Sequence, residues 1–206
     1  MKKTSKKNSL WKKADEGSVD AQLQLGAKLE DDDPCEAVAW YKKAADQESP
    51  EAQLALSKMY LDGRGIPKND TESFNWALKA AMHGNVEAYY EVGRKYVEGA
   101  GVESSQAEAV RWLSHIANPA KTPDKWLMSR AQLWLGCALL LPEKRNPCEA
   151  YKWLNLAATY LPDGEFYGFC SRSSAIEIRD IAANEMTSDQ IREAQKACSR
   201  MFVAPD

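Results

Sequence analysis

The chain has 206 residues, 44% hydrophobic and 28% charged, with a net charge of −3: enough for one or two domains with a buried core. Residues 1–13 hold six lysines (Lys2, Lys3, Lys6, Lys7, Lys12, Lys13) and no acid, so residues 14–206 carry −9, which argues against nucleic acid as a partner because that binding draws on clustered Lys and Arg. No stretch is apolar for long enough to span a bilayer, no hydrophobic segment follows the first lysines, and the five cysteines (Cys35, Cys137, Cys148, Cys170, Cys198) contain no C-x-x-C pair; the chain reads as cytoplasmic, with free thiols.

In chain order, residues 1–7 read as a flexible basic arm and residues 8–16 as a first helix. A recurring helix follows, opening on Ala21, Ala52, Ala88 and Ala131, with Leu25-Gly26, Leu56-Ser57, Val92-Gly93 and Leu135-Gly136 four residues later. Leu29, Tyr60, Tyr96 and Leu139 come three residues after the small position, so all these columns share one helical stripe. Glycine inside a helix is unfavourable by about 1 kcal/mol, so its recurrence points to close approach of a partner helix. Two copies then carry a glycine turn, Gly63-Arg64-Gly65-Ile66 and Gly99-Ala100-Gly101-Val102.

A second recurring helix starts near residues 33, 69, 105 and 146, where Asp33, Asn69, Ser105 and Asn146 are suited to cap it. Glu36, Glu72, Glu108 and Glu149 stand three residues on, the spacing of a capping box, and Pro34 and Pro147 occupy the first helical position. Small residues (Ala37, Ser73, Ala109, Ala150), tryptophans (Trp40, Trp76, Trp112, Trp153) and alanines (Ala45, Ala81, Ala117, Ala158) complete the register. From Ala52 to Ala88 the period is 36 residues, one helix–turn–helix. The insertion 118–130 contains Thr122-Pro123-Asp124, a helix-start signal; the first helix of the fourth copy is therefore expected from near Pro123 to about Leu141, two turns longer than its siblings. Two further helices, about 165–185 and Thr187–Met201, are expected to cap the array, the second with Thr187 and Gln190 as a capping box.

The unit A-x-x-x-L-G-x-x-Y-x-x-G-x-G, followed by W-x-x-x-A-A-x-x-G-x-x-x-A, resembles the Sel1-like repeat, a relative of the tetratricopeptide repeat (TPR). The copy with Ala52, Leu56, Tyr60, Gly63, Gly65, Trp76, Ala80, Ala81, Gly84 and Ala88 carries the resemblance best. It covers residues 14–160, with Ala14, Gly17 and Ala21 as an N-terminal half-repeat, and the tail through Met186–Ile191 is similar to bacterial members. Departures are the missing glycine turns of the first and fourth copies, Ile116 in place of an alanine, and Glu48 in place of a glycine. Cys35 and Cys148 share a column without a matching partner column, unlike the disulfide-stapled branch of the family. The resemblance implies an all-α fold: a right-handed α-solenoid of Sel1-like, TPR-like helix-turn-helix repeats with terminal capping helices, its concave side lined by first helices. The domain reading is a basic N-terminus over 1–7, the array over 8–160, and capping helices over 161–206.

Function is sought among residues that packing does not fix. One row of the first helices is Ala27, Lys58, Arg94 and Cys137; a second, four residues earlier, is Leu23, Leu54, Tyr90 and Leu133. Both are expected beside the groove, with Glu87 and Glu98 flanking Tyr90 and Arg94. Trp126, Arg130 and Trp134 form an i, i+4, i+8 line of the residue types that dominate protein interfaces. Lys58, Glu87, Tyr90, Arg94, Glu98, Trp126, Arg130 and Trp134 are thus the candidate partner-binding residues, with Tyr90, Trp126 and Trp134 open to either a binding or a core role. Phe166-Tyr167-Gly168-Phe169 reads as a contact loop or a cap seal. His83 and His115 lie late in their helices without metal-ligand spacing, and both glycine turns join helix to helix rather than cradling phosphate. No catalytic residue, metal or cofactor is assigned. The expected function is non-catalytic binding of another protein or peptide, as an adaptor, a regulator or an immunity protein against a cognate toxin. The alternatives are a hydrolase on a repeat scaffold and a peripheral membrane factor using the lysine-rich arm.

Overall fold

The computed structural model describes residues 2–118, 122, 124–162 and 171–202, and eleven α-helices without a strand among them. Pro123 and Phe166 to Phe169 lie outside the described residues, as do the side chains of Lys2, Lys3, Lys6 and Lys7. The helices are α1 (Lys2–Asp15), α2 (Val19–Leu29), α3 (Pro34–Ala45), α4 (Pro50–Asp62), α5 (Asp70–Met82), α6 (Val86–Glu98), α7 (Gln106–Ser114), α8 (Lys125–Leu139), α9 (Pro147–Tyr160), α10 (Arg172–Ala183) and α11 (Ser188–Phe202). Contacts divide the chain into two compact units, Met1–Ala88 with Ala100–Val102, and Tyr89–Gly99 with Glu103–Asp206.

The second helices start where the polar column places them. Asp33, Asn69, Ser105 and Asn146 each accept a hydrogen bond from the amide of the glutamate three residues on, at 3.0–3.4 Å. The expected return bond from glutamate to cap amide is replaced by a different one. The amides of Asp33, Asn69, Ser105 and Asn146 donate to the carbonyls of Leu29, Tyr60, Tyr96 and Leu139, at 2.8–3.1 Å. The last column of each first helix is therefore also the residue whose backbone closes the hairpin. A reciprocal capping box does occur at Thr187 and Gln190, ahead of α11. First helices have their own cap column, which the sequence reading missed: Ser18, Ser49 and Asn85 accept from the amides of Ala21, Ala52 and Ala88.

The seam between helices of a hairpin is set by the small column. A Cβ at Gly26, Gly93 or Gly136 would lie 2.5 Å from Tyr41, Leu113 or Leu154 respectively. In the copy where serine replaces glycine, the partner small residue is also serine. The Ser57 hydroxyl donates to the Ser73 carbonyl and the Ser73 hydroxyl to the Ser57 carbonyl, both at 2.7 Å. All four side-chain and backbone groups sit in a buried seam with partners.

In the first unit, Ala37, Tyr41, Ala44, Ala52, Leu56 and Met59 form one core cluster, and Ala14, Ala21, Leu25 and Trp40 form another under Trp11. In the second unit, Leu133, Tyr151, Leu154 and Leu161 gather the capping helices through Ala175, Ala182 and Ala194. Three helices depart from expectation: α10 starts at Arg172, capped by Ser171, rather than near residue 165, and α1 and α8 differ as well. Helix α1 is traced from Lys2 rather than residue 8, over lysines that are good helix formers. Helix α8 has 15 residues against 11–13 for α2, α4 and α6, longer by about half a turn to one turn rather than two. Asp124 caps the amides of Trp126 and Leu127, and the hairpin bond from Asn146 to Leu139 fixes the other end.

Candidate functional site

Helix α4 begins at Ser49 with Pro50 at its first position and stops at Gly63, whose φ of 70° is left-handed. Ala52, Leu56, Ser57 and Met59 are buried by its neighbours. The adjacent stripe, at spacings of three, four and seven residues, is Glu51, Leu54, Ala55, Lys58 and Asp62, and it borders a cavity of about 400 Å³. Leu54, Ala55 and Met59 give the apolar floor, while Glu30 and Arg64 extend the rim, as do Asn85 and Glu87. Every lining residue belongs to the first compact unit.

Most rim charges are internally committed. The Lys58 ammonium lies 2.9 Å from the Glu87 carboxylate, each side chain about half exposed. Arg64 donates to the Glu30 carbonyl and the Asp31 carboxylate, both at 2.8 Å. The Tyr41 hydroxyl donates to the Glu30 carboxylate, and burial, then that carboxylate, push its pKa above the usual phenol range. Glu51 accepts only from the Ser49 hydroxyl, at 3.2 Å, and Asp62 has no hydrogen-bond or ion-pair partner among the described residues.

Of the candidates named from sequence, Lys58 and Glu87 meet at this cavity. Tyr90 does not face a groove: it is 1% exposed and packs with Leu113, Ala131 and Leu135. Leu54 and Leu133 of the same row are buried too. Arg94 pairs with Glu91 at 2.8 Å and with Glu98. Burial alone would lower its pKa, but the two carboxylates outweigh it and raise it. Trp126, Arg130 and Trp134 are half-buried, and the last two meet Tyr90: the Arg130 guanidinium lies 4.1 Å from the Tyr90 ring centre and 5.9 Å from that of Trp126, and the Trp134 indole donates to the Tyr90 hydroxyl at 3.1 Å.

The column tryptophans stay with the architecture. Trp40 and Trp76 carry Lys43 and Lys79 at 3.7 and 4.1 Å from their ring centres. His83 and His115 are exposed at helix ends, His83 within 3.0 Å of the Gln53 amide oxygen and His115 stacked on Tyr89. Glu51, Asp62 and Arg64 were missed in the sequence, although Glu51 and Asp62 share the helical stripe of Lys58 and could have been found by extending it by one turn each way.

An all-α array of helix hairpins, closed by one repeated backbone bond and packed on a small-residue seam, defines a helical-repeat solenoid protein. The Sel1 repeat model matches residues 19–49, 50–85, 86–115 and 129–159, and the chain belongs to the Sel1 repeat family. It is similar to a Sel1 repeat protein from Oxalobacter formigenes, at 37% identity over 52% of this chain and 84% of that one, with a TM-score of 0.48. It is also similar to a protective antigen present in uropathogenic Escherichia coli strains displaying an SLR fold, at 22% identity and a TM-score of 0.48. That match covers 94% of this chain but 47% of the antigen, so the chain spans about half of its length. No curated protein matches the chain. Sel1 repeats are generally protein–protein interaction modules. No described helix is long and apolar enough to cross a membrane.

Proposed function

We propose that the chain is a non-catalytic binding module that takes a polypeptide segment of a partner protein into the cavity over α4, and so serves as an adaptor, a regulator or an immunity protein. The observation that carries this reading is the cavity itself: about 400 Å³, with an apolar floor on α4 and a charged rim to which the end of α2, the turn after α4 and the start of α6 contribute. Its walls are backbone-locked helices, so a peptide meets a preformed surface and little ordering energy is lost on the protein side. Buried Leu54 and Met59 and half-buried Ala55 supply the desolvated centre, and the Lys58–Glu87 pair supplies an edge.

The test is selection of binders from a random peptide library, followed by Ala55→Arg. Arginine is a good helix former and fills the cavity from a partly exposed position, so helical circular dichroism should be retained. Selected peptides should lose at least tenfold in affinity for A55R. Peptides that bind A55R as tightly as the parent chain would remove the cavity as the site.

A further inference from the structure

Which peptide the cavity takes is written in the charges that remain uncommitted around it. Lys58 is matched by Glu87, and Arg64 is matched by Asp31 and the Glu30 carbonyl. Glu51 and Asp62 remain, both exposed, one with only a hydroxyl donor and the other without a hydrogen-bond or ion-pair partner among the described residues. They stand eleven residues apart on one face of α4, about 16 Å along the axis at 1.5 Å per residue. Between them lie Leu54, Ala55 and Met59. The order along the helix is therefore acid, apolar floor, the Lys58 ammonium held by Glu87, acid.

Resting on the binding reading above, we propose that the occupant is an extended peptide with two basic residues about five positions apart and an apolar residue between them. A strand advances roughly 3.3 Å per residue, so five steps cover the distance from Glu51 to Asp62. Each lysine or arginine meets one uncommitted carboxylate, and the central side chain enters over Ala55. An acidic segment is disfavoured because the two cations of the rim already have their anions. The −9 carried by residues 14–206 favours the same sign of partner at longer range.

The experiment uses a fluorescein-labelled, end-capped peptide with lysines at its first and sixth positions and leucine between, read by anisotropy on the full chain. Two comparison peptides carry glutamates in place of the lysines, or both lysines side by side. The spaced-lysine peptide should bind at least tenfold tighter than either, and should weaken as salt rises. In E51K/D62K that preference should vanish, and E51Q/D62N should fall between; both variants change exposed positions of a helix and should keep its circular dichroism. Equal or better binding of the glutamate peptide, still blocked by A55R, would overturn the charge assignment and leave the binding reading standing. A preference that survives E51K/D62K would overturn it as well. Self-association of the parent chain that A55R abolishes would assign the cavity to a second copy and overturn the proposal.

Discussion

The turns of the second and third repeats and the turn of the fourth solve one problem by opposite means. In the first compact unit, Gly65 lies directly on the first turn of α3 and Gly101 on the first turn of α5. A Cβ there would stand 2.1 Å from the Pro34 carbonyl oxygen or 2.0 Å from that of Asp70, so backbone rests on backbone. The fourth repeat has no glycine turn. Gln106, the first residue of α7 as Pro34 and Asp70 are of α3 and α5, reaches across with its side chain instead. Its amide nitrogen donates to the Ala138 and Lys144 carbonyls at 3.0 Å, and its oxygen accepts from the Lys144 amide at 2.7 Å. The longer brace holds the turn off α7 and leaves a cavity of about 360 Å³ bordered by Ala107, Val110 and Leu139. Where the contact is backbone, the residue cannot vary; where it is a side chain, the gap can.

The contrast breaks most sharply at the glycines. Gly65→Ala and Gly101→Ala should each lose about 3 kcal/mol or more, since left-handed strain of 1–2 kcal/mol adds to crowding of 1–3 kcal/mol. Gly84→Ala, also left-handed at φ 85° but with nothing within 4 Å of an added Cβ, should lose only the strain, about 1–2 kcal/mol. Urea unfolding of the three variants checks this, and equal losses would show that the close approach to α3 and α5 is not the cause. Gln106→Ala should lose about 2 kcal/mol by stranding the Lys144 amide and two carbonyls near a buried side chain. Amide hydrogen exchange at Lys144 should quicken in that variant, while exchange in α3 and α5 stays unchanged.

Repeat columns make the hairpins legible in the amino-acid sequence. Asp33, Asn69, Ser105 and Asn146 each cap the helix they announce, because capping is a local act of one side chain on an amide three residues on. Local spacing could not say where the cap residue's own amide goes, since its acceptor lies on the preceding helix at Leu29, Tyr60, Tyr96 or Leu139. The site was legible only in part for the same reason. Lys58 and Tyr90 sit on neighbouring faces of equivalent helices, and periodicity gives the faces but not which of them the next hairpin covers. Tyr90 is covered and Lys58 is not. Glu51 and Asp62 become site residues only once the cavity over α4 is seen to run from one to the other.

The smallest expected effect sharpens the comparison from the other side, at a turn where the family glycine is absent. Gly17 and Gly84 have φ of 98° and 85° in the turns that lead out of α1 and α5, and Glu48 holds the equivalent turn out of α3 at φ 63°. The backbone there is fixed by bonds from the Glu48 amide to the Ala45 carbonyl and from the Ser49 amide to the Ala44 carbonyl, at 3.0 and 3.3 Å. The left-handed angle is thus imposed by the turn and not chosen by the side chain, which points to solvent. Glycine would relieve about 1–2 kcal/mol of strain and return part of it through the greater freedom of the unfolded chain. Glu48→Gly should therefore gain about 0.5–1 kcal/mol, visible as a higher urea midpoint with an unchanged slope. A loss instead would mean that the Glu48 side chain contributes more than the strain it imposes, and that this turn, unlike those at Gly17 and Gly84, is held by its side chain.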